Sequence, residues 1–175
     1  TFILTGFPGT GKTTVLQMII QSFVKQKGRG CSILLCAPTG RAARRMAEAT
    51  GYDAFTIHKG YGLGSEDDAD VQSPPIGRWD MVIVDEFSMS DMWVSYKILR
   101  RTGNNTKLIL VGDSNQLASV QPGNVLRELI RSQVVPYREL TQIFRQGEGS
   151  AIALNSKRIT DKQTDLIYDD SFVLV

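Results

Sequence analysis

Gly6-Phe7-Pro8-Gly9-Thr10-Gly11-Lys12-Thr13 has the spacing G-x-x-x-x-G-K-T. The apolar run Phe2-Ile3-Leu4 leads into it, and a helix-like segment, Val15 to Val24, leads out. Strand, glycine loop and helix in that order form a phosphate-binding context. Glycines let backbone N–H groups crowd around phosphate oxygens without Cβ clashes. The helix aims its unpaired N–H groups and positive dipole end at the anion. Lys12 can then reach the β- and γ-phosphates and Thr13 can hold Mg²⁺. The competing reading is a glycine-rich turn followed by a chance Lys-Thr, and the two flanks argue against it.

The rest of the sequence is consistent with an ordinary globular domain. Its 175 residues suffice for one core, with 42% hydrophobic and 22% charged residues. Twenty basic against 18 acidic side chains leave a formal charge of +2, too balanced to establish a nucleic-acid partner by charge. Cys31 and Cys36 flank one strand-like run and fall on its opposite faces, so a mutual disulfide is not expected. Buried free thiols in a reducing, cytoplasmic compartment are the better reading. No apolar stretch is long enough to span a membrane. The chain starts at Thr1, almost inside the first strand, and reads as a piece cut from a longer protein.

Beyond the loop, Val15, Leu16, Met18, Ile19, Ile20, Phe23 and Val24 predict a helix apolar nearly all round, and so covered on most sides. Ile33–Cys36 reads as a buried strand and Arg41 to Thr50 as a helix. Arg41, Arg44 and Arg45 share a helix face, which suits phosphate-backbone contacts. The charges alone favour a solvated face instead, with Arg44 paired to Glu48. His58 is the only histidine, which rules out a His-based metal cluster. A hydrogen-bonded structural role is commoner for such a residue than catalysis. Gly60 to Gly77 reads as a solvent-exposed acidic loop without calcium-loop spacing.

Met81-Val82-Ile83-Val84-Asp85-Glu86 is the second decisive stretch, a buried strand ending in two acids. In phosphate-loop enzymes an aspartate there holds Mg²⁺. A glutamate directly after it can orient and deprotonate an attacking water. Leu108–Val111 is a further strand, followed by Gly112-Asp113-Ser114-Asn115-Gln116, where Gln116 could touch a γ-phosphate and a bound water. Pro122 and Val125–Ile130 predict a short helix, Tyr137–Phe144 a strand-like run, Ser150–Ile159 a last helix and Phe172–Val175 a last strand. Apolar strands alternating with helices predict an α/β fold, a parallel sheet with helices on both faces. The turns at Gly6, Ala37, Asp85 and Gly112 all follow strand ends, the edge where such sheets bind ligands.

Six segments in order resemble the RecD-like branch of superfamily 1 DNA helicases: Gly6–Thr14, Ala37–Ala43, Thr56–Lys59, Val84–Met89, Val111–Leu117 and Leu140–Gln146. The resemblance implies a P-loop NTPase fold of RecA-like type. It implies residues 1–137 as the ATP-binding motor lobe, and 138–175 as the truncated start of the second lobe or its linker, packed on the first. It implies ATP and Mg²⁺ as cofactors, single-stranded DNA as partner, and other subunits of a recombination nuclease complex as further partners. Gly6, Pro8, Gly9, Thr10, Gly11, Lys12, Thr13 and Thr14 would hold nucleotide, and Thr13 and Asp85 the metal. Lys12, Glu86, Gln116 and Arg145 would carry catalysis, with Glu86 as general base. Pro38, Thr39, Gly40, Arg41, Thr56 and His58 would touch DNA, which reverses the solvated reading for Arg41. The adenine-contacting segment would precede Thr1 and the second-lobe motifs would follow Val175. The chain alone is therefore expected to have near-background ATPase.

Phe7 and Ala118 depart from the family pattern, where a small residue and a proline are common. A small-molecule phosphate-loop kinase is disfavoured because a water-activating Glu86 is a liability to it. A GTPase is disfavoured because no guanine-reading motif occurs. A non-catalytic, nucleotide-gated DNA-binding module would not need Lys12, Thr13, Asp85 and Glu86 together.

Overall fold

A computed structural model of the protein describes residues 1–28, 30–64, 79–116, 119–142, 151, 155, 158–159 and 163–168. The elements are β1 (Phe2–Gly6), α1 (Lys12–Lys27), β2 (Ile33–Ala37), α2 (Gly40–Thr50), β3 (Ala54–Thr56), α3 (Ile57–Tyr61), β4 (Met81–Val84), a 3-10 turn (Phe87–Met89), α4 (Met92–Arg101), β5 (Lys107–Gly112), α5 (Val125–Ser132) and β6 (Tyr137–Leu140). The strands form one sheet in the order β3-β2-β4-β5-β1-β6, and every neighbouring pair is parallel. This is the predicted α/β sheet.

The strands lack polar alternation because both faces of the sheet are covered. On one face Leu34, Cys36, Val82, Val84, Leu108 and Leu110 meet Ile57 and Tyr61 of α3, Val94 and Ile98 of α4, and Leu126 of α5. On the other, Leu4, Leu35, Met81, Ile83, Ile109 and Val111 meet Leu16, Ile20 and Phe23 of α1 and Met46 of α2. Strands β1, β2, β4 and β5 thus send alternate residues to two cores.

Some expectations need correction. Helix α1 is covered on one side only: Leu16, Ile20 and Phe23 are buried, whereas Met18 is 62% exposed. Met18, Ile19 and Phe23 line an open groove of about 360 Å³ instead. Of the two free thiols only Cys36 is buried, since Cys31 precedes β2 and is half-buried. Phe55–Lys59, which carries no clear periodicity, divides into the end of β3 and the start of α3. Helix α4 has no counterpart in the sequence reading. The strand in Tyr137–Phe144 ends at Leu140, and the 137/138 boundary falls inside it. Most of the Gly60–Gly77 loop, most of the Ser150–Ile159 helix and the Phe172–Val175 strand lie outside the described residues.

Helix α3 is short, and three contacts fix it in place. Its Gly60 lies so close to Cys36 Sγ that no Cβ would fit. The buried Tyr61 hydroxyl lies 2.9 Å from Thr102 Oγ1. Arg101 Nη1 donates to the carbonyl of Tyr61 at 2.7 Å. These contacts set the position of the Thr56–His58 corner.

Candidate nucleotide site and nucleic-acid edge

All strands run the same way, so the loops after β1, β2, β4 and β5 converge on one edge. In the first loop, Gly6 pairs with Leu140 of β6, and a Cβ there would meet Leu140 O and Thr10 Oγ1, each at 2.7 Å. Gly9 and Gly11 take φ of 84° and 82°, the left-handed region where glycine is unstrained. The buried Thr10 donates its hydroxyl to Phe7 O at 2.8 Å, so its side chain braces the loop. Lys12 Nζ donates to the carbonyls of Gly6 at 2.7 Å and Phe7 at 3.0 Å. Helix α1 opens at Lys12 with no acid in its first turn, which leaves its dipole end positive. Pro8, Thr13 and Thr14 are exposed beside it.

Strand β4 is buried throughout and delivers Asp85 and Glu86 to the same edge. Asp85 N–H donates to Cys36 O at 2.8 Å, prolonging the ladder by one bond. Glu86 N–H donates to Asp85 Oδ1 at 2.8 Å. Glu86 sits at φ 52°, left-handed for a non-glycine residue, and starts the 3-10 turn. Such a conformation costs about 1–2 kcal/mol. Thr13, Asp85 and Glu86 line one cleft of about 310 Å³, shared with Leu16 of α1 and with Ala42, Arg45, Met46 and Ala49 of α2.

Burial raises the Asp85 carboxyl above its ordinary value. The Glu86 charge adds to the rise, while the Glu86 N–H and the Lys12 ammonium offset part of it. A cation beside Asp85 would relieve that cost. Among the described residues no three His, Cys, Asp or Glu side chains are grouped to hold a metal alone. Mg²⁺ needs only one or two protein oxygens beside phosphates and water. The Thr13 hydroxyl, the Asp85 carboxylate and the glycine cradle fit Mg²⁺ with a polyphosphate.

After β5, Asp113 is buried and its Oδ1 accepts from Asn115 N–H at 2.9 Å. Gln116 N–H donates to Asp113 O at 3.2 Å, and the residue is exposed. Gln116 is not among the residues lining the Thr13–Asp85–Glu86 cleft. Gly112 lies against the 3-10 turn: a Cβ there would come 3.0 Å from Ser88 N and 2.7 Å from Leu126 Cδ2. Arg145 lies outside the described residues.

Thr39 and Thr56 cap two helices. Thr39 Oγ1 accepts from Ala42 N–H at 3.2 Å and Thr56 Oγ1 from Lys59 N–H at 3.2 Å. A capping oxygen keeps its own O–H free to donate outward. Pro38 is half-buried, and Gly40, Arg41 and His58 are exposed next to these caps. Among the described residues the His58 imidazole makes no hydrogen bond.

The three arginines of α2 do not share one role. Arg44 pairs with Glu48 at 2.9 Å, as the solvated reading expected. Arg41 is exposed in the first turn. Arg45 lines the carboxylate cleft, a placement the sequence reading missed. The available signal was the i, i+3, i+4, i+7 series Ala42, Arg45, Met46, Ala49, the face turned toward α1.

Comparison with known proteins gives the site its relatives. The AAA domain family matches residues 1–172. The ATP-dependent RecD2 DNA helicase of Deinococcus radiodurans is 37% identical over 150 residues, covering 86% of this chain and 20% of that protein. The RecBCD enzyme subunit RecD of Haemophilus influenzae is 36% identical over 159 residues, covering 77% of this chain and 24% of that subunit. Pif1 helicase from Bacteroides, solved in complex with ADP-AlF3 and ssDNA, superposes with a TM-score of 0.63 over 98% of this chain and 44% of that one. Its 22% identity makes it a likeness of fold. The chain thus spans only about a fifth to a quarter of the two curated relatives. With the family matched over residues 1–172 and six helicase-like segments in order, the chain belongs to the AAA domain family and is a distant homologue of the RecD helicases.

Proposed function

We propose that this chain is the first motor lobe of an ATP-dependent DNA helicase, which couples ATP hydrolysis to translocation on single-stranded DNA and to unwinding. The observation that carries the reading is the convergence of Thr13, Asp85 and Glu86 on one cleft beside the Gly6–Lys12 loop. The lobe extends past residue 137 to the end of β6, which pairs with β1, and the residues after it begin the second lobe or its linker.

The glycine loop and Lys12 bind the β- and γ-phosphates, and Lys12 exchanges its two carbonyl partners for phosphate oxygens to do so. Thr13 and Asp85 hold Mg²⁺, which neutralises charge on the phosphates when bound. Glu86 takes the proton of the attacking water. Gln116, on the loop after β5, reports the state of the γ-phosphate to the nucleic-acid edge. Arg145 stabilises transition-state charge. The free O–H groups of Thr39 and Thr56, with Pro38, Gly40, Arg41 and His58, hold the DNA backbone. Further subunits of a recombination nuclease, as for the RecD relatives, are partners of the same proposal.

Glu86 argues against a kinase, which must keep water from the phosphate. The test is ATP hydrolysis by the helicase that carries this lobe, with and without single-stranded DNA. DNA-stimulated turnover is expected, and Glu86→Gln should cut it roughly 10²–10⁴-fold while nucleotide still binds. Unstimulated turnover, or full activity in Glu86→Gln, would remove the helicase reading or the base.

A further inference from the structure

We propose that Arg45 is a terminal-phosphate contact of the nucleotide cleft, a cation supplied by α2 rather than by the glycine loop. The proposal rests on the nucleotide-site reading above and goes beyond its assignments.

Three observations carry it. Arg45 is an exposed residue, yet it lines the same cleft as Thr13, Asp85 and Glu86. Its neighbour Arg44 is engaged by Glu48 at 2.9 Å, whereas among the described residues no ion pair or hydrogen bond holds the Arg45 guanidinium. Arg45 and the two acidic residues therefore border a common space of about 310 Å³, with no ion pair between them among the described residues. A phosphate group with its metal fits between them.

Charge counting agrees. A triphosphate brings about four negative charges, and the cleft adds two carboxylates. Mg²⁺ and Lys12 together return three positive charges. A further cation on the far wall reduces the remaining excess. Arginine suits that place because its planar fork bonds phosphate oxygens in pairs and never loses its charge. The loop and Lys12 approach from α1, so a group on α2 comes from across the cleft. None of residues 6–12 lines this cleft, so of a phosphate chain seated on the loop the outermost group is the one that would reach Arg45.

The test separates triphosphate from diphosphate on the 175-residue chain itself. Calorimetric titrations with Mg²⁺ compare ADP with the imido analogue of ATP. Arg45→Ala should weaken the triphosphate analogue roughly tenfold or more and leave ADP unchanged. Arg45→Lys should recover part of the loss, and Arg44→Ala should change neither ligand. An Arg45→Ala variant with unaltered affinities, or with both affinities lowered equally, overturns the proposal. A wild-type chain that binds neither nucleotide at millimolar concentration overturns the nucleotide site as well.

Discussion

Lys12 Nζ donates a 2.7 Å hydrogen bond to the carbonyl oxygen of Gly6, so the loop's cation is held by the loop's own first residue. Lys12→Ala removes this brace together with the charge meant for phosphate. The brace is half exposed to water, and its loss should cost about 1–2 kcal/mol of stability. Nucleotide affinity should fall far more, because a charge-assisted contact is lost and the loop carbonyls are left facing the anion. Denaturant melts and nucleotide titrations on the same variant check both halves. A stable variant with wild-type affinity would place the phosphates elsewhere.

Asp85→Asn should make the nucleotide-free chain more stable at neutral pH. Burial raises the folded Asp85 carboxyl above its ordinary value. A carboxyl raised on folding stabilises the native state fully below about pH 3.9, the unfolded value. That contribution disappears as pH rises through the folded value, so at pH 7 the charged group opposes folding. The thermal-melt advantage of Asp85→Asn should therefore grow from acid to neutral pH. The Mg²⁺-dependent part of nucleotide affinity should vanish in the same variant. A lower melting temperature at pH 7 would contradict the burial argument.

Thr39→Asp and Thr56→Asp should keep their helices and lose nucleic acid. Aspartate caps a helix N-terminus as well as threonine does. It has no O–H to donate and adds a negative charge where phosphate is proposed to sit. Thr39→Ser keeps both functions and should behave as wild type. Circular dichroism reads the helices, and fluorescence anisotropy with labelled single-stranded DNA reads the contact. Undiminished affinity in both aspartate variants would move the DNA off this edge.

Gly60→Ala should destabilise the fold by about 1–3 kcal/mol, the usual cost of overpacking. Its Cβ would press on Cys36 Sγ, under the helix that positions Thr56 and His58. Gly30→Ala has open space around it and serves as the control. A silent Gly60→Ala in urea unfolding would mean that α3 can lift without cost.

Much of this architecture can be read from the residues alone. Ile33–Cys36, Met81–Val84 and Leu108–Val111 are apolar without a break because alternate side chains enter two different cores. Glycines and acids after those runs mark the edge that carries the site. Helix α4 was illegible for a specific reason: only Val94 and Ile98 mark its buried face with apolar side chains. Ser95 and Lys97 are buried, while Met92, Trp93, Tyr96 and Leu99 are exposed. The Val94–Ile98 spacing is helical, but the exposed apolar residues around it mask the pattern.

The site divides the same way. The glycine loop and the Asp85–Glu86 pair are local chemistry, and their spacing declares them. The left-handed Glu86 has no glycine to announce it. Arg44 and Arg45 differ only in which way α2 turns against α1, a tertiary fact that adjacent identical residues cannot encode. A lone histidine says nothing about its exposure, and His58 proves exposed at the start of α3.

Gly112 has a consequence for anyone transplanting this site. With only hydrogen between β5 and the turn after Glu86, the two loops share a single positional error. A designer could not re-aim the Glu86 carboxylate while leaving the Gln116 segment as it stands. Any side chain at Gly112, however small, acts as a spacer that shifts both at once. Grafting the two acids onto another parallel sheet would therefore mean copying the bare strand end beside them, although that strand end contributes no functional group.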